Sequence, residues 1–183
     1  MINVTEAIKL AAVGVVLSLG ASFHAMADIL VIDDERVERE ALAYLDFDRQ
    51  TSQIREAIVT LRQNLARGGT FEQQLADLEN QKAIIGNNAY EEQRQTLAQQ
   101  YETQSQQLAR LELAFDQLRE EALTQVERVR QPIVRSILMQ RGAKVMMTKR
   151  LVIGVMPGVD VTTEFIEQLN AQLPTVYLPS LQQ

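Results

Sequence analysis

Between about Arg49 and Gln140 the chain repeats apolar residues at helical spacing on a background rich in Gln, Glu, Ala and Arg, with Pro132 as its single proline. Ile54, Ile58, Leu61 and Leu65 recur by fours and threes, and so do Leu108, Leu111, Phe115, Leu118 and Ala122. Val126, Val129, Ile133 and Ile137 carry the second series on. Such a narrow seam on an otherwise polar helix is stable only when another helix covers it. The spacing therefore predicts two long helices paired along their seams. Gly86-Asn87-Asn88 lies between the two series and is a turn cluster, with the glycine suited to a left-handed cap. An antiparallel hairpin follows, with its second limb from about Ala89 to Gln140, or roughly 75 Å at the rise of an α-helix.

The first limb is less regular. Gly68-Gly69 interrupts its seam, which resumes displaced at Phe71, Leu75 and Leu78. Each glycine inside a helix costs about 1 kcal/mol relative to alanine, so a kink or local break is expected there. Pro132 is expected to bend the second limb near its end, and Gly142 is expected to cap it.

Short β-type runs flank the helical region: Asp28–Ile32 on one side, and Lys144–Thr148 and Leu151–Val155 on the other. The last two surround Lys149-Arg150 and read as a hairpin. Asp33-Asp34-Glu35 starts a short helix with Val37, Ala41 and Leu42 inward. Asp160 and Thr162 cap a final helix carrying Phe165, Ile166 and Leu169, which Pro174 ends before a polar tail. The fold class is thus α+β and mostly helical. A small β-body of three short strands spans 28–46 and 141–178, and a helical-hairpin coiled-coil arm spans 47–140. Three short strands form too small a core to stand with open edges, so several copies should associate through them. Ile29, Val31, Val145, Met147, Val152 and Ile153 are the strand residues that would face a neighbouring copy.

The first 27 residues read as an export signal: a short head with Lys9, an apolar run Leu10–Gly20, and Ala25-Met26-Ala27 as the cleavage site. The run is too short to span a bilayer. The chain has no cysteine, and its one histidine, His24, falls in the segment to be removed. Thiol nucleophiles, imidazole bases and most zinc sites are thereby excluded from the mature chain. No residue is assigned a catalytic, metal-binding or cofactor-binding role. Asp33-Asp34-Glu35 with Glu38 reads as a solvated helix start, Arg67-Gly68-Gly69-Thr70 as a helix interruption, and Met146-Met147 as core packing. A net charge of −6 argues against a nucleic-acid backbone as partner, and against anionic membranes.

This order of parts resembles the Skp/OmpH family of periplasmic chaperones. The resemblance rests on Ile29-Leu30-Val31-Ile32 directly after the cleavage site, followed by Asp33 and Arg36, and on the Gln/Ala/Glu-rich hairpin. It continues in Arg141-Gly142-Ala143-Lys144-Val145-Met146-Met147, Val159-Asp160-Val161-Thr162, and the closing Leu169-Asn170, Leu173-Pro174 and Val176. It implies a homotrimer whose strands form a central barrel. It also implies arms enclosing a cavity that holds unfolded outer-membrane proteins, without nucleotide, until they are assembled. Leu61, Leu65, Phe71 and Leu75 on the first limb, with Tyr90, Leu97 and Tyr101 on the second, are then the candidates to touch a client. Packing between the limbs is the competing role for these side chains. The family's well-studied members are basic and this chain is acidic, so lipopolysaccharide or membrane contact is not expected of it. The alternative reading is a coiled-coil spacer or adaptor of an envelope assembly, which would need a specific docking surface at the arm tip, whereas Ile84-Ile85-Gly86-Asn87-Asn88 offers little besides a turn.

Overall fold

The computed structural model describes residues 28–179; the proposed export signal, with His24, lies outside the described residues. Strand β1 (Ile29–Ile32) leads into α1 (Asp34–Glu40), α2 (Leu42–Gln50) and α3 (Ser52–Leu65). After a break come α4 (Thr70–Ile85) and the 55-residue α5 (Asn87–Arg141), then β2 (Val145–Thr148), a 3-10 turn at Lys149–Leu151, and α6 (Thr162–Gln172).

The hairpin reading holds closely. Gly86 turns the chain at φ 79° with its N–H bonded to the Lys82 carbonyl, and Gly142 ends α5 in the left-handed conformation at φ 63°. Leu118, Ala122, Val126, Ile133 and Ile137 are all buried, as their spacing requires. Helix α5 runs without interruption through Pro132. Asp33 caps α1 as expected, its side chain accepting from the Arg36 N–H at 3.0 Å.

The β-body differs from the expectation. Residues 151–155 form no strand, so the hairpin with 144–148 is absent, and β1 and β2 pair in parallel with Ile29 opposite Val145. The other edge of β1 is taken by the returning chain: Val31 N–H donates to the Val159 carbonyl, and Val161 N–H to the Val31 carbonyl, both at 3.0 Å. The returning segment is bonded to β1 at Val31, and the Lys149 ammonium, 3.2 Å from Asp160 and 3.4 Å from Asp33, bridges it to the start of α1. Val31 is consequently buried in its own chain and offers no side chain to a neighbour, whereas Ile29 and Val145 are half exposed. Leu151, Ile153 and Met156 stand in solvent, Ile153 completely. Leu42, expected inward, is exposed because the chain leaves helical geometry at Ala41 before α2 begins.

Two cores result. In the first, Leu30 and Ile32 of β1 and Val37 and Ala41 meet Ile133 and Ile137 of α5 and Phe165, Ile166 and Leu169 of α6. Asp34 pairs with Arg130 at 2.5 Å above this core, and the Arg130 guanidinium lies 5.7 Å from the Phe165 ring. In the second, Ala43 and Leu118, Ala122 and Val126 of α5 are covered by Val176 and Leu178. The closing segment is therefore a strap across the root of the arm, where a polar tail was expected. Its backbone is held by side chains. Val176 N–H donates to Asp46 at 3.0 Å and its carbonyl accepts from Gln50 at 2.9 Å. Gln125 bonds both the N–H and the carbonyl of Tyr177, at 2.9 and 2.7 Å.

Asp46 is the buried charge in this clamp. Burial pushes its carboxyl up, but the Val176 N–H, Arg49 and Gln50 outweigh burial and hold it below the ordinary carboxylate range. Asp34 and Asp160 are depressed in the same way: burial opposes, while Thr148 and Arg130, or Thr162 and Lys149, prevail. A carboxyl whose folded pKa lies below its unfolded value, near 3.9, adds stability that is complete above that value and lost as pH falls through the lower one. Stability should accordingly be level from neutral pH down to about 4 and fall steeply below. Asp46→Asn should cost about 1–3 kcal/mol at neutral pH and flatten the acid limb, read as urea midpoints against pH. An acid limb as steep as that of the parent would show that Asp46 is not among the groups driving it.

Candidate functional site

The arm is the part of the chain with the most surface unaccounted for by the cores. Its limbs are fastened at intervals. Phe47 and Phe115 meet with tilted rings at 5.8 Å near the root, Arg62 reaches Glu112 at 2.7 Å midway, and Phe71 meets Tyr101 edge-on at 5.5 Å further out. Near the tip the Tyr90 hydroxyl donates to Glu79, and Lys82 lies 4.4 Å over its ring. Antiparallel pairing in this register places Gln104 of α5 level with Gly68.

At that level the first limb breaks. Gly68 adopts φ 74°, Gly69 N–H donates to the Ala66 carbonyl at 2.8 Å, and Gly68 N–H is bonded by the Glu72 carboxylate. Thr70 and Asn64 bond across the break at 3.0 Å, and Gln73 returns to the Gly68 carbonyl at 2.9 Å. A Cβ on Gly69 would lie 2.4 Å from the Gln63 carbonyl oxygen and 2.6 Å from that of Asn64, so the fold needs glycine there for close approach. Space around Gly68 is open, and only its left-handed φ selects glycine.

Because residues 66–69, about one helical turn, depart from regular geometry, the seam of α5 is incompletely covered beside the break. An apolar cavity of roughly 530 Å³ opens there, lined by Leu65, Ala66, Phe71 and Leu75 of the first limb and Leu97, Ala98 and Tyr101 of α5, with Arg67, Glu72 and Arg94 at the rim. It is an open groove with a mainly apolar lining rather than an enclosed pocket. Leu75 and Tyr101 are both more than 40% exposed, while Phe71 is buried as the floor.

The sequence-based candidates divide accordingly. Leu65, Phe71, Leu75, Leu97 and Tyr101 surround this one cavity. Leu61 is buried in the limb-to-limb seam, and Tyr90 is buried near the tip by Glu79 and Lys82, so neither is available to a ligand. Ala66, Arg94 and Ala98 are not singled out by the sequence, and Arg67 enters there only as part of the helix interruption. A signal existed: the spacing Leu97, Tyr101, Gln104, Leu108 puts a polar residue at a seam position, and Gln104 Oε1 is buried with no hydrogen-bond donor among the described residues.

No family model matches the chain, and no curated protein does. Among solved structures, one from Caulobacter crescentus, described as a candidate outer membrane chaperone (OmpH-like), matches with a TM-score of 0.55. The match covers 82% of this chain and 88% of that chain at 16% sequence identity. The chain has an OmpH-like fold. The resemblance drawn from residue order is therefore matched by the path of the backbone. Among the described residues no helix is long and apolar enough to cross a membrane.

The OmpH-like arm here depends on its break being built as seen. Gly69→Ala should cost about 1–3 kcal/mol, since three carbonyls must move, whereas Gly68→Asn should be close to neutral because asparagine tolerates the left-handed region. Urea unfolding followed by circular dichroism separates the two, and equal costs would contradict the close approach at Gly69.

Proposed function

We propose that the chain is an exported, ATP-independent holding chaperone of the periplasm that keeps unfolded outer-membrane proteins from aggregating. The observation that carries this reading is the arm: a long polar hairpin whose regularity is interrupted to leave an apolar cavity facing solvent. A stable spacer would gain by carrying the helix through 66–69, about one turn, and closing the gap. Leu113, Leu123 and Val59 add exposed apolar spots along the same arm. Each offers a weak contact, and several weak contacts on one flexible client hold it by effective concentration while permitting release without nucleotide. The OmpH-like fold supports the same reading.

Self-association as a homotrimer belongs to the proposal. Leu151, Ile153 and Met156 expose a run of apolar side chains next to the half-exposed Ile29 and Val145. The outer edge of β2 has no strand beside it among the described residues. An open edge with apolar side chains is what a second copy would cover. Met147 and Val152, both partly buried, lie along the same strip. An envelope adaptor is favoured by one observation, the 85% exposure of Ile84 at the arm tip, which would suit docking to a fixed partner.

Light scattering of the chain from Asp28 onward should give a trimer. With a urea-unfolded outer-membrane β-barrel protein diluted in, the trimer should take up about one client and keep it soluble without nucleotide. Ile153→Asp should reduce the trimer to monomers with the helix content unchanged, since this side chain touches nothing in its own chain. A stable oligomer that leaves the client to aggregate would assign the arm to an adaptor role instead.

A further inference from the structure

The cavity at the break in the arm has a rim of unequal charge. Arg94 is paired with Glu91 at 3.1 Å, and the Glu72 carboxylate, which keeps its negative charge, is oriented by the Gly68 N–H. Arg67 has no hydrogen-bond or ion-pair partner among the described residues, and it projects from the glycine break itself. The cavity interior is aromatic on one wall, where Tyr101 stands edge-on to Phe71 with an interplanar angle of 86°. Ala66 and Ala98 line it where larger residues would have closed it.

We propose that this cavity recognises one feature of an unfolded chain: an aromatic side chain adjoining an acidic residue, the ring entering beside Tyr101 and the carboxylate pairing with Arg67. This deepens the chaperone reading and rests on it. The ring supplies most of the affinity by leaving water and by edge-to-face contact with the existing aromatic pair. The carboxylate supplies direction, because an exposed ion pair adds little energy but disfavours a cation in its place. The occupant is argued from charge complementarity: an unpaired guanidinium at the mouth of an apolar site fits a partner apolar at one position and anionic at the next. Occupancy is weak and brief at one such site, which suits a holder that must let go.

The chain contains no tryptophan, so the emission of a tryptophan ligand is free of protein background. The full chain from Asp28 would be titrated with the blocked dipeptides acetyl-Trp-Glu-amide, acetyl-Trp-Gln-amide and acetyl-Trp-Lys-amide, following the blue shift of the indole. Trp-Glu should bind about threefold more tightly than Trp-Gln and about tenfold more tightly than Trp-Lys, the range open to an exposed ion pair and its reversal. Arg67→Glu should invert the order of Trp-Glu and Trp-Lys. Ala98→Phe should abolish the blue shift by filling the cavity. Arg67 is exposed, so its variant keeps the test valid should Ala98→Phe fail to fold. Binding that ignores both substitutions, or an order that does not invert, overturns the proposal. So does a blue shift that vanishes with rising protein concentration, which would assign the cavity to a second copy of the chain. The same samples would be assayed for keeping an unfolded β-barrel protein soluble. Client held but no dipeptide bound removes this inference alone; client not held removes the chaperone reading beneath it.

Discussion

Helix α5 has an apolar seam running most of its length, and no single partner covers it. At its C-terminal end the seam is buried by β1, α1 and α6; above that, by the strap at Val176 and Leu178; and further out by α3 and then α4. The rest of the chain can be understood as a succession of covers for this one helix. Where the covers are continuous the result is a core. Where they hand over from α3 to α4, at 66–69, the result is a cavity. A shared helix also ties the two halves, since Ile133 and Ile137 in the body and Leu97 and Tyr101 in the arm lie on the one continuous helix α5.

The strap shows how a small body anchors so long a lever. The apolar core at the root of the arm is supplemented by side chains that satisfy the strap's extended backbone. Asp46, Gln50 and Gln125 provide for Val176 and Tyr177 the donors and acceptors that a neighbouring strand would otherwise supply. The Val176 N–H is buried and would cost about 1–3 kcal/mol without Asp46, whereas the Gln125 bonds to Tyr177 are exposed and contribute less. The clamp also makes the root sensitive to acid through Asp46, while the arm itself is held mainly by apolar contacts and exposed pairs.

The helical hairpin was legible because its signals are local and redundant: seam spacing, a glycine turn at Gly86 and a glycine cap at Gly142. The break was legible for the same reason, in Gly68-Gly69. What sequence could not disclose were the long-range choices. Leu151–Val155 has strand composition, but the edge of β1 is taken instead by Val159 and Val161, a pairing with residues far apart in sequence. Val176 and Leu178 look like isolated apolar residues in a polar tail until Leu118 and Ala122 are seen to need covering. Among the candidate contacts, spacing placed Leu65, Phe71, Leu75, Leu97 and Tyr101 on facing seams. The offset between limbs, which decides that these five meet at one gap while Leu61 and Tyr90 are sealed, comes from three-dimensional register alone.

The account turns on the gap in the arm being the place where a client chain sits. The most direct test places a photo-crosslinking amino acid at Leu75, on the wall of the cavity, and separately at Met139, an exposed apolar position near the body. Each protein would be irradiated with an unfolded outer-membrane β-barrel protein present. The account predicts abundant adducts from position 75 and few from position 139. Equal yields from the two positions, or adducts from 139 alone, would contradict it and leave the cavity as a by-product of the helix break.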